Sequence, residues 1–250
     1  MIFISGCAPE GSNDILQMDL TPDEVRTAQS ERTAVFGELV GRGVVEFRWT
    51  DDDGNHRNQG DLDFWKKGNA ISLRISKLGD LIMWFGGKDQ EYWLFDLSGD
   101  ETKLTLGGDA LMFRDIDVAL VLLGLAPLPE GVLSVHNGVV SLQDNNDRLW
   151  EATFDPSSHR PLEMSVIDGK NKFNALHRRD IRVEIDNKHE VYWPVTGGLI
   201  DLFDTRGDTK IKIVFSTLST IVENEPMERV CNLEYLRKAL KPTVIVEDTK

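Results

Sequence analysis

The segment Arg114–Pro129 limits what this chain can fold into more than any other stretch of its sequence. From Val118 to Leu125 it is apolar on every side when drawn as a helix, whereas a surface helix keeps a polar face. Asp115 can cap such a helix and Gly124 can end it, so a helix is predicted over Asp115–Leu125. It is too short to span a bilayer, which takes about 20 residues. The segment is therefore either a buried core helix or an apolar lid over an apolar ligand.

Two further helices are predicted near the ends of the chain. Thr21-Pro22-Asp23-Glu24 is a capping box with proline at the first helical position, and helical spacing of apolar residues follows it. This pattern predicts a helix over Pro22–Leu39, ended by Gly41 and Gly43. Pro226–Leu240 predicts a closing helix with one apolar stripe.

Between the helices, apolar and polar residues alternate with a period of two, which is typical of antiparallel strands with one wet face. Turn signals such as Asp53-Gly54 and Asp168-Gly169 separate the runs. The pattern predicts a mainly β protein in which one twisted sheet of about ten to twelve strands is accompanied by a few helices. The predicted strands include 44–49, 61–64, 71–75, 81–85, 92–95, 139–142, 149–154, 162–167, 172–176, 181–185, 192–195, 199–203 and 210–215.

Composition excludes some classes of function. The net charge of −14 argues against nucleic-acid binding, which needs a concentrated basic surface.

The sequence holds none of the motifs for a nucleophile elbow, a phosphate-binding loop, a zinc protease or a Cys/His metal site. Asp61 and Asp63 are interpreted as the wet face of a strand, and the five histidines as surface residues. Cys231 is interpreted as a small buried apolar residue. We therefore expect no enzyme activity, no metal and no cofactor.

The N-terminus carries a different kind of signal. Ile4-Ser5-Gly6-Cys7 resembles the lipobox of bacterial lipoproteins, whose cysteine is lipidated, and the polar residues after it are typical of a tether. Only Met1–Gly6 precede Cys7, so either the true start lies upstream or the match is accidental. The resulting division is 1–20 as a remnant signal and tether, and 21–250 as a single domain.

The order of elements, together with Asp115–Pro129 (DIDVALVLLGLAPLP) and the Gly60–Trp65 run, resembles the LolA/LolB-type carriers of bacterial lipoproteins. The resemblance implies a curved antiparallel sheet that forms an incomplete β-barrel, covered by helices, around a cavity for acyl chains. Cys7 would then be the lipid anchor. Because Ala8 rather than Asp follows it, the expected location is the outer membrane, facing the periplasm.

Seven apolar residues are candidates for the lining of this cavity: Phe47, Trp49, Leu73, Trp84, Leu94, Leu120 and Leu123. The leading hypothesis is a monomeric, non-catalytic lipoprotein that binds an acyl chain or a lipidated protein, in lipoprotein sorting or lipid transport. A second hypothesis is a structural or interaction lipoprotein in which the same residues form a filled core without a ligand. A third is an envelope hydrolase whose site only the fold would assemble.

Overall fold

The computed structural model describes residues 20–51, 54–88, 91–107, 116–155, 160–169, 171–179, 183–186, 189–191, 199–204, 209–223 and 225–248. The described helices are α1 (Pro22–Ala34), α2 (Ile116–Leu122), α3 (Met227–Val230) and α4 (Leu233–Leu240). The strands of the first half are β1 (Glu38–Asp51), β2 (Gly54–Lys67), β3 (Ala70–Lys77), β4 (Asp80–Lys88), β5 (Glu91–Asp96) and β6 (Lys103–Gly107). Those of the second half are β7 (Gly131–His136), β8 (Val139–Asp144), β9 (Leu149–Phe154), β10 (Pro161–Asp168), β11 (Asn171–Arg179), β12 (Val183–Asp186), β13 (His189–Val191), β14 (Leu199–Asp204), β15 (Thr209–Ser219) and β16 (Val244–Asp248).

All of these strands belong to one sheet. Its main path runs β16-β6-β5-β4-β3-β2-β1-β15-β14-β11-β10-β9-β8-β7, and beside it β12 pairs with β15 and β13 pairs with β12. Along this path every pair is antiparallel except β16 with β6. The predicted curved antiparallel sheet that does not close into a barrel is therefore confirmed, although it has more strands than expected. The strands β6, β7, β13 and β16 were not predicted, because each is short and flanked by loop-type sequence. The strand predicted at 192–195 lies outside the described residues.

The inner face of the sheet carries one continuous apolar core. Its members come from both halves of the sheet and from α1 and α2, so the sheet curves around these two helices. Representative fully buried residues are Phe36, Leu39, Leu62, Phe64, Ile71, Ile75, Ile116, Leu122, Leu123 and Trp150. The outer face near β2–β6 carries two smaller clusters, in which α3 packs on Trp65 through Met227 and Val230, and α4 packs on Phe95 through Leu236.

Helix α1 begins as predicted and ends earlier than predicted. The Thr21 hydroxyl accepts a hydrogen bond from the Glu24 backbone N–H, and the Glu24 carboxylate accepts one from the Thr21 N–H, which completes the capping box. The predicted end at Leu39 is wrong, since the helix stops at Ala34 and Leu39 already lies in β1, paired with Lys66. The pairing of β1 with β2 outweighs the helical spacing of the apolar residues in this stretch.

A buried lysine joins the end of α1 to the sheet. The Lys66 ammonium lies on the inner side of β2 and donates to the Phe36 carbonyl oxygen at 2.6 Å. Lys66 is buried, and this burial lowers its pKa from 10.5 to about 8. A cation near the C-terminal end of a helix is stabilised by the helix dipole, but here the loss of solvent is the larger effect.

This lowered pKa leads to a testable pH dependence. Between pH 8 and 10.5 the unfolded chain holds a proton on Lys66 that the folded chain has released, so the free energy of unfolding rises with pH in this window. The rise should reach about 3 kcal/mol, at 1.36 kcal/mol per pKa unit. We expect Lys66→Met to remove it, as measured by urea unfolding at several pH values. Lys77→Met, at an exposed lysine, is the control. If the free energy of unfolding rises with pH equally in Lys66→Met and in the parent protein, Lys66 is not the cause of the rise.

Helix α2 is shorter than predicted, and all of its residues except Asp117 are buried. It spans Ile116–Leu122, and its predicted N-cap, Asp115, lies outside the described residues. It ends in the predicted way at Gly124, whose φ is +71°. The Gly124 N–H donates to Val121 O and the Leu125 N–H donates to Leu120 O, the pattern of a Schellman C-cap.

The C-terminal helix predicted over Pro226–Leu240 is two helices, so that prediction is wrong in detail. Helix α3 ends at Val230, and Asn232 caps α4 by accepting a hydrogen bond from the Tyr235 N–H at 2.9 Å. An asparagine side chain that bonds the following backbone favours a helix start over a helix interior. The predicted apolar stripe is present, because Leu236 is buried against Trp93, Phe95 and Leu104.

Candidate functional site

An apolar pocket lies on the inner face of the sheet, between β1, β3, β4, β5 and β15. Register brings its walls together, since Leu73 pairs with Phe85, Ile75 pairs with Met83, and Phe47 pairs with Ile211. Its nine lining residues are all apolar: Val45, Phe47, Leu73, Ile75, Met83, Phe85, Leu94, Ile211 and Ile213. No polar side chain is among them, so the pocket can recognise hydrocarbon by burial but offers no hydrogen bond to a polar ligand.

The pocket has a buried floor and a half-exposed rim. The floor residues, such as Val45 and Ile75, are at most 4% exposed, whereas Phe47, Met83 and Leu94 are partly exposed. The space enclosed is about 20 Å³, about the room that one water needs. Ligand pockets are usually about 300–1,000 Å³. In this state the pocket is nearly filled by its own side chains, and a ligand could enter only if the rim side chains moved apart.

The seven predicted lining residues fall into three groups. Phe47, Leu73 and Leu94 line the pocket. Leu120 and Leu123 are buried in the main core, in and just after α2. The N-terminal residue of this helix, Ile116, lies over Gly87, four residues along β4 from Met83. Helix α2 therefore packs beside the other end of the strand from the pocket.

Trp49 and Trp84 lie away from this pocket. Trp49 is 37% exposed on β1 and stacks on His56, with ring centroids 5.0 Å apart. Trp84 lies on the outer face, where its indole N–H donates to Ser72 Oγ at 2.8 Å and its ring stacks on Trp65. Because successive side chains of a strand point to opposite faces, Trp84 cannot share a face with its neighbours Met83 and Phe85.

The outer face holds a polar and aromatic cluster that the sequence analysis missed. Arg74 lies over both Trp65 and Trp84 and donates two hydrogen bonds to Asp63. The Trp65 indole N–H donates to Glu225, which belongs to the C-terminal segment. Alternation along β2 and β3 could have indicated that these residues share a face, but nothing in the sequence places Glu225 there.

Asp63 and His177 were both expected on polar surfaces, and only Asp63 lies on one. Asp63 does lie on the polar face of its strand, paired with Arg74, as expected. His177, expected at the surface, is instead buried, and its Nε2 lies 2.9 Å from the Leu122 carbonyl oxygen. This contact occupies a carbonyl at the C-terminal end of α2 that the helix itself leaves without an N–H partner.

Reactive groups are not concentrated anywhere in the described ranges. No group of three or more His, Cys, Asp or Glu side chains there is arranged to hold a metal ion. Cys231 is a free thiol, and burial raises its pKa to about 11, so it is protonated and weakly nucleophilic at neutral pH. None of the helices in these ranges is long and apolar enough to cross a membrane. Cys7 lies outside the described residues.

An exposed leucine lies at the tip of the β3–β4 hairpin. Leu78 occupies the turn, which the pairs Ser76–Leu81 and Lys77–Asp80 separate from the Ile75–Met83 pair, and is 97% exposed. Its φ is +55°, and Gly79 follows with a φ of +92°. A left-handed conformation costs a non-glycine residue about 1–2 kcal/mol. The two positive φ values are those of a tight two-residue hairpin turn, in which Lys77 pairs with Asp80.

The sequence matches no family model, and no curated protein matches it. Its structure, however, is similar to several solved structures. A LolA superfamily protein from Nitrosomonas europaea matches with a TM-score of 0.50 and 12% identity, over 87% of this chain and 100% of the other. A DUF1329 family protein from Desulfovibrio piger matches with a TM-score of 0.51 and 10% identity, over 80% and 93%.

A putative outer membrane lipoprotein-sorting protein domain from Vibrio parahaemolyticus matches with a TM-score of 0.43 and 11% identity, over 86% and 97%. The matches with TM-scores of 0.50 and 0.51 support a shared fold, and at 12% and 10% identity they support the fold alone. The open, curved sheet wrapped around α1 and α2 corresponds to the incomplete barrel that the sequence resemblance implied. The chain has a LolA-like fold.

Proposed function

We propose that this chain is a non-catalytic bacterial envelope lipoprotein, anchored through Cys7, whose inner-face pocket accepts an acyl chain. The observation that carries the proposal is the pocket of nine apolar side chains with a half-exposed rim. Each methylene buried there would contribute about 0.8 kcal/mol. An acyl chain of ten methylenes could therefore bind without any hydrogen-bonding group, although association costs reduce the total.

Leu78 is an exposed apolar side chain at the tip of the hairpin whose two strands line the pocket. Its side chain extends into solvent from the turn that ends β3 and begins β4. Contact with a bilayer or with a lipidated protein would bury this side chain at the tip of the hairpin. The proposed location is the outer membrane, facing the periplasm, as Ala8 after Cys7 implies.

A second candidate function is favoured by the small volume of the pocket. About 20 Å³ fits a filled core, as in an interaction lipoprotein that binds no lipid. The two candidates differ in a direct measurement. Native mass spectrometry of the purified protein should show bound fatty acid or phospholipid if the chain is a carrier, and an apo mass together with no binding of a fluorescent fatty acid if it is not.

A charge at the rim tests the pocket itself. We expect Met83→Asp to weaken binding of a fluorescent fatty acid by at least about tenfold, because a carboxylate at the entrance opposes burial of hydrocarbon. Met83 is only half-buried, so the fold should tolerate the change. Leu149→Asp, at an exposed leucine on β9, is the matched control. Equal affinities for the two variants would place the fatty acid elsewhere.

The anchor needs its own experiment. If Cys7 carries the lipid, Cys7→Ala expressed with the upstream coding sequence should leave the membrane fraction and lose metabolic palmitate labelling. A stop codon directly upstream of Met1 would contradict the anchoring part of the proposal without affecting the pocket.

A further inference from the structure

The two edge strands of the sheet, β7 and β16, differ in what contacts them. At the β7 end, Arg26 of α1 donates from Nη2 to the Gly131 carbonyl oxygen at 2.6 Å, so a helix contacts this edge. At the other end, β16 pairs with β6 and with no other strand in the described ranges. The β16 edge is therefore the less protected of the two.

The backbone of β16 presents hydrogen-bonding groups outward. The Val244 N–H donates toward β6, to Thr102 O at 3.2 Å. Because successive residues of a strand direct their N–H and C=O groups to opposite sides, those of Ile245 and Glu247 point away from β6. Ile245 is 45% and Val246 37% exposed, one on each face of the strand. Natural edge strands are usually blunted by shortness, charged side chains, prolines or bulges. β16 has five residues and ends in Glu247 and Asp248, whereas Val244–Val246 carries no charge or proline.

The surroundings of this edge are acidic. A cleft of about 460 Å³ lies where β16 meets β6 and the end of β5, and it is lined by Val244, Val246 and the loop that joins β5 to β6. Three carboxylates line it, from Asp96, Asp100 and Glu101, together with one cation, Lys103. Glu247 on β16 itself is exposed, and the whole chain has a net charge of −14.

We propose that β16 is a docking edge for an extended, basic segment of a partner protein, which adds to the sheet as a further strand. Its backbone would bond the outward groups of Ile245 and Glu247. Its side chains would alternate, cationic ones on the face of the acidic cleft and apolar ones beside Ile245. A second copy of this chain is a poor occupant, since two chains of charge −14 repel and each would bring its own carboxylates to the contact.

A synthetic peptide of alternating lysine and valine, eight residues long and carrying fluorescein, is a suitable probe. We expect saturable binding by fluorescence anisotropy that weakens with added salt, and no binding of the alternating glutamate and valine peptide. Ile245→Pro should weaken binding at least about tenfold, because it removes an outward N–H. Its own sheet pairing should survive, since proline is tolerated where the N–H faces solvent.

Charge reversal gives an independent test that does not depend on proline. We expect Asp100→Lys/Glu101→Lys to abolish binding of the lysine peptide. The control, Glu130→Lys/Glu163→Lys, changes the net charge by the same amount at exposed sites away from the cleft. It should bind the lysine peptide as tightly as the parent protein does. The proposal is overturned if the lysine peptide binds neither the parent protein nor the control variant, or if Ile245→Pro binds the peptide as tightly as the parent. It is also overturned if sedimentation shows a dimer of the parent that Ile245→Pro dissociates.

Discussion

Replacing Leu120 by aspartate is expected to unfold the protein. Leu120 is 3% exposed in a helix whose neighbouring residues Ala119, Val121 and Leu122 are also buried. An aspartate there would be an unpaired carboxylate in an apolar core, and the cost should exceed about 4 kcal/mol, a large part of the stability of a typical domain. Circular dichroism should show loss of the sheet signal, or a melting temperature lowered by well over ten degrees, with the shift following from the free-energy change.

A matched variant separates burial from the charge itself. Val132→Asp introduces the same carboxylate at a valine that is 82% exposed on β7, and it should leave the melting temperature nearly unchanged. If Leu120→Asp instead keeps the sheet intact and loses only fatty-acid binding, then α2 can swing outward as a lid. That result would contradict the core role that its burial indicates.

Replacing Gly43 by alanine is expected to disrupt the pairing of β1 with β15. A Cβ at this position would lie 2.0 Å from the Val214 carbonyl oxygen and 2.9 Å from the Phe215 Cα. Both are backbone atoms, so no side-chain rotation relieves the clash and the strands have to separate. We expect a loss of about 3 kcal/mol or more in the free energy of unfolding, measured by urea denaturation.

Gly37→Ala is the control for the change of residue type. No atom lies within 4 Å of a Cβ built on Gly37, and it has no positive φ. Its effect should be neutral, or stabilising by up to about 1 kcal/mol, because alanine restricts the unfolded chain. Equal destabilisation by Gly37→Ala and Gly43→Ala would show that the close approach to Val214 is not the cause.

Gly43 also shows why the sequence predicts some features of this fold and not others. Gly41 and Gly43 were interpreted as the end of the first helix, whereas they lie inside β1, where the strand bulges against β15 between Arg42 and Gly43. A glycine required by the approach of a distant strand looks in the sequence like a glycine that ends a helix. Local signals such as the capping box at Thr21 and the Gly124 C-cap were confirmed, because their partners lie within a few residues.

The candidate site was predictable to a similar extent. Alternation indicates which residues of β1 and β3 share a face with Phe47 and Leu73, and only the register of the folded sheet brings them together with Leu94. The same alternation puts Trp84 on the opposite face from Phe85, but its size and apolar character made it a candidate for the lining. Contacts such as Trp65 with Glu225, or His177 with Leu122, join residues far apart in the chain and leave no local pattern.

The pairing of β1 with β15 has a consequence for how the chain reaches its folded state. The strands β1–β6 and β7–β11 can each form through short hairpins, but β1 gains its second neighbour only when residues 209–219 are present. Pairing over such a separation is slow, because the ends of a long loop must meet first. During synthesis, the N-terminal strands therefore remain with one open side until nearly the whole chain has emerged. A chaperone that covers β1 in this interval would raise the yield of folded protein more than one that acts after release.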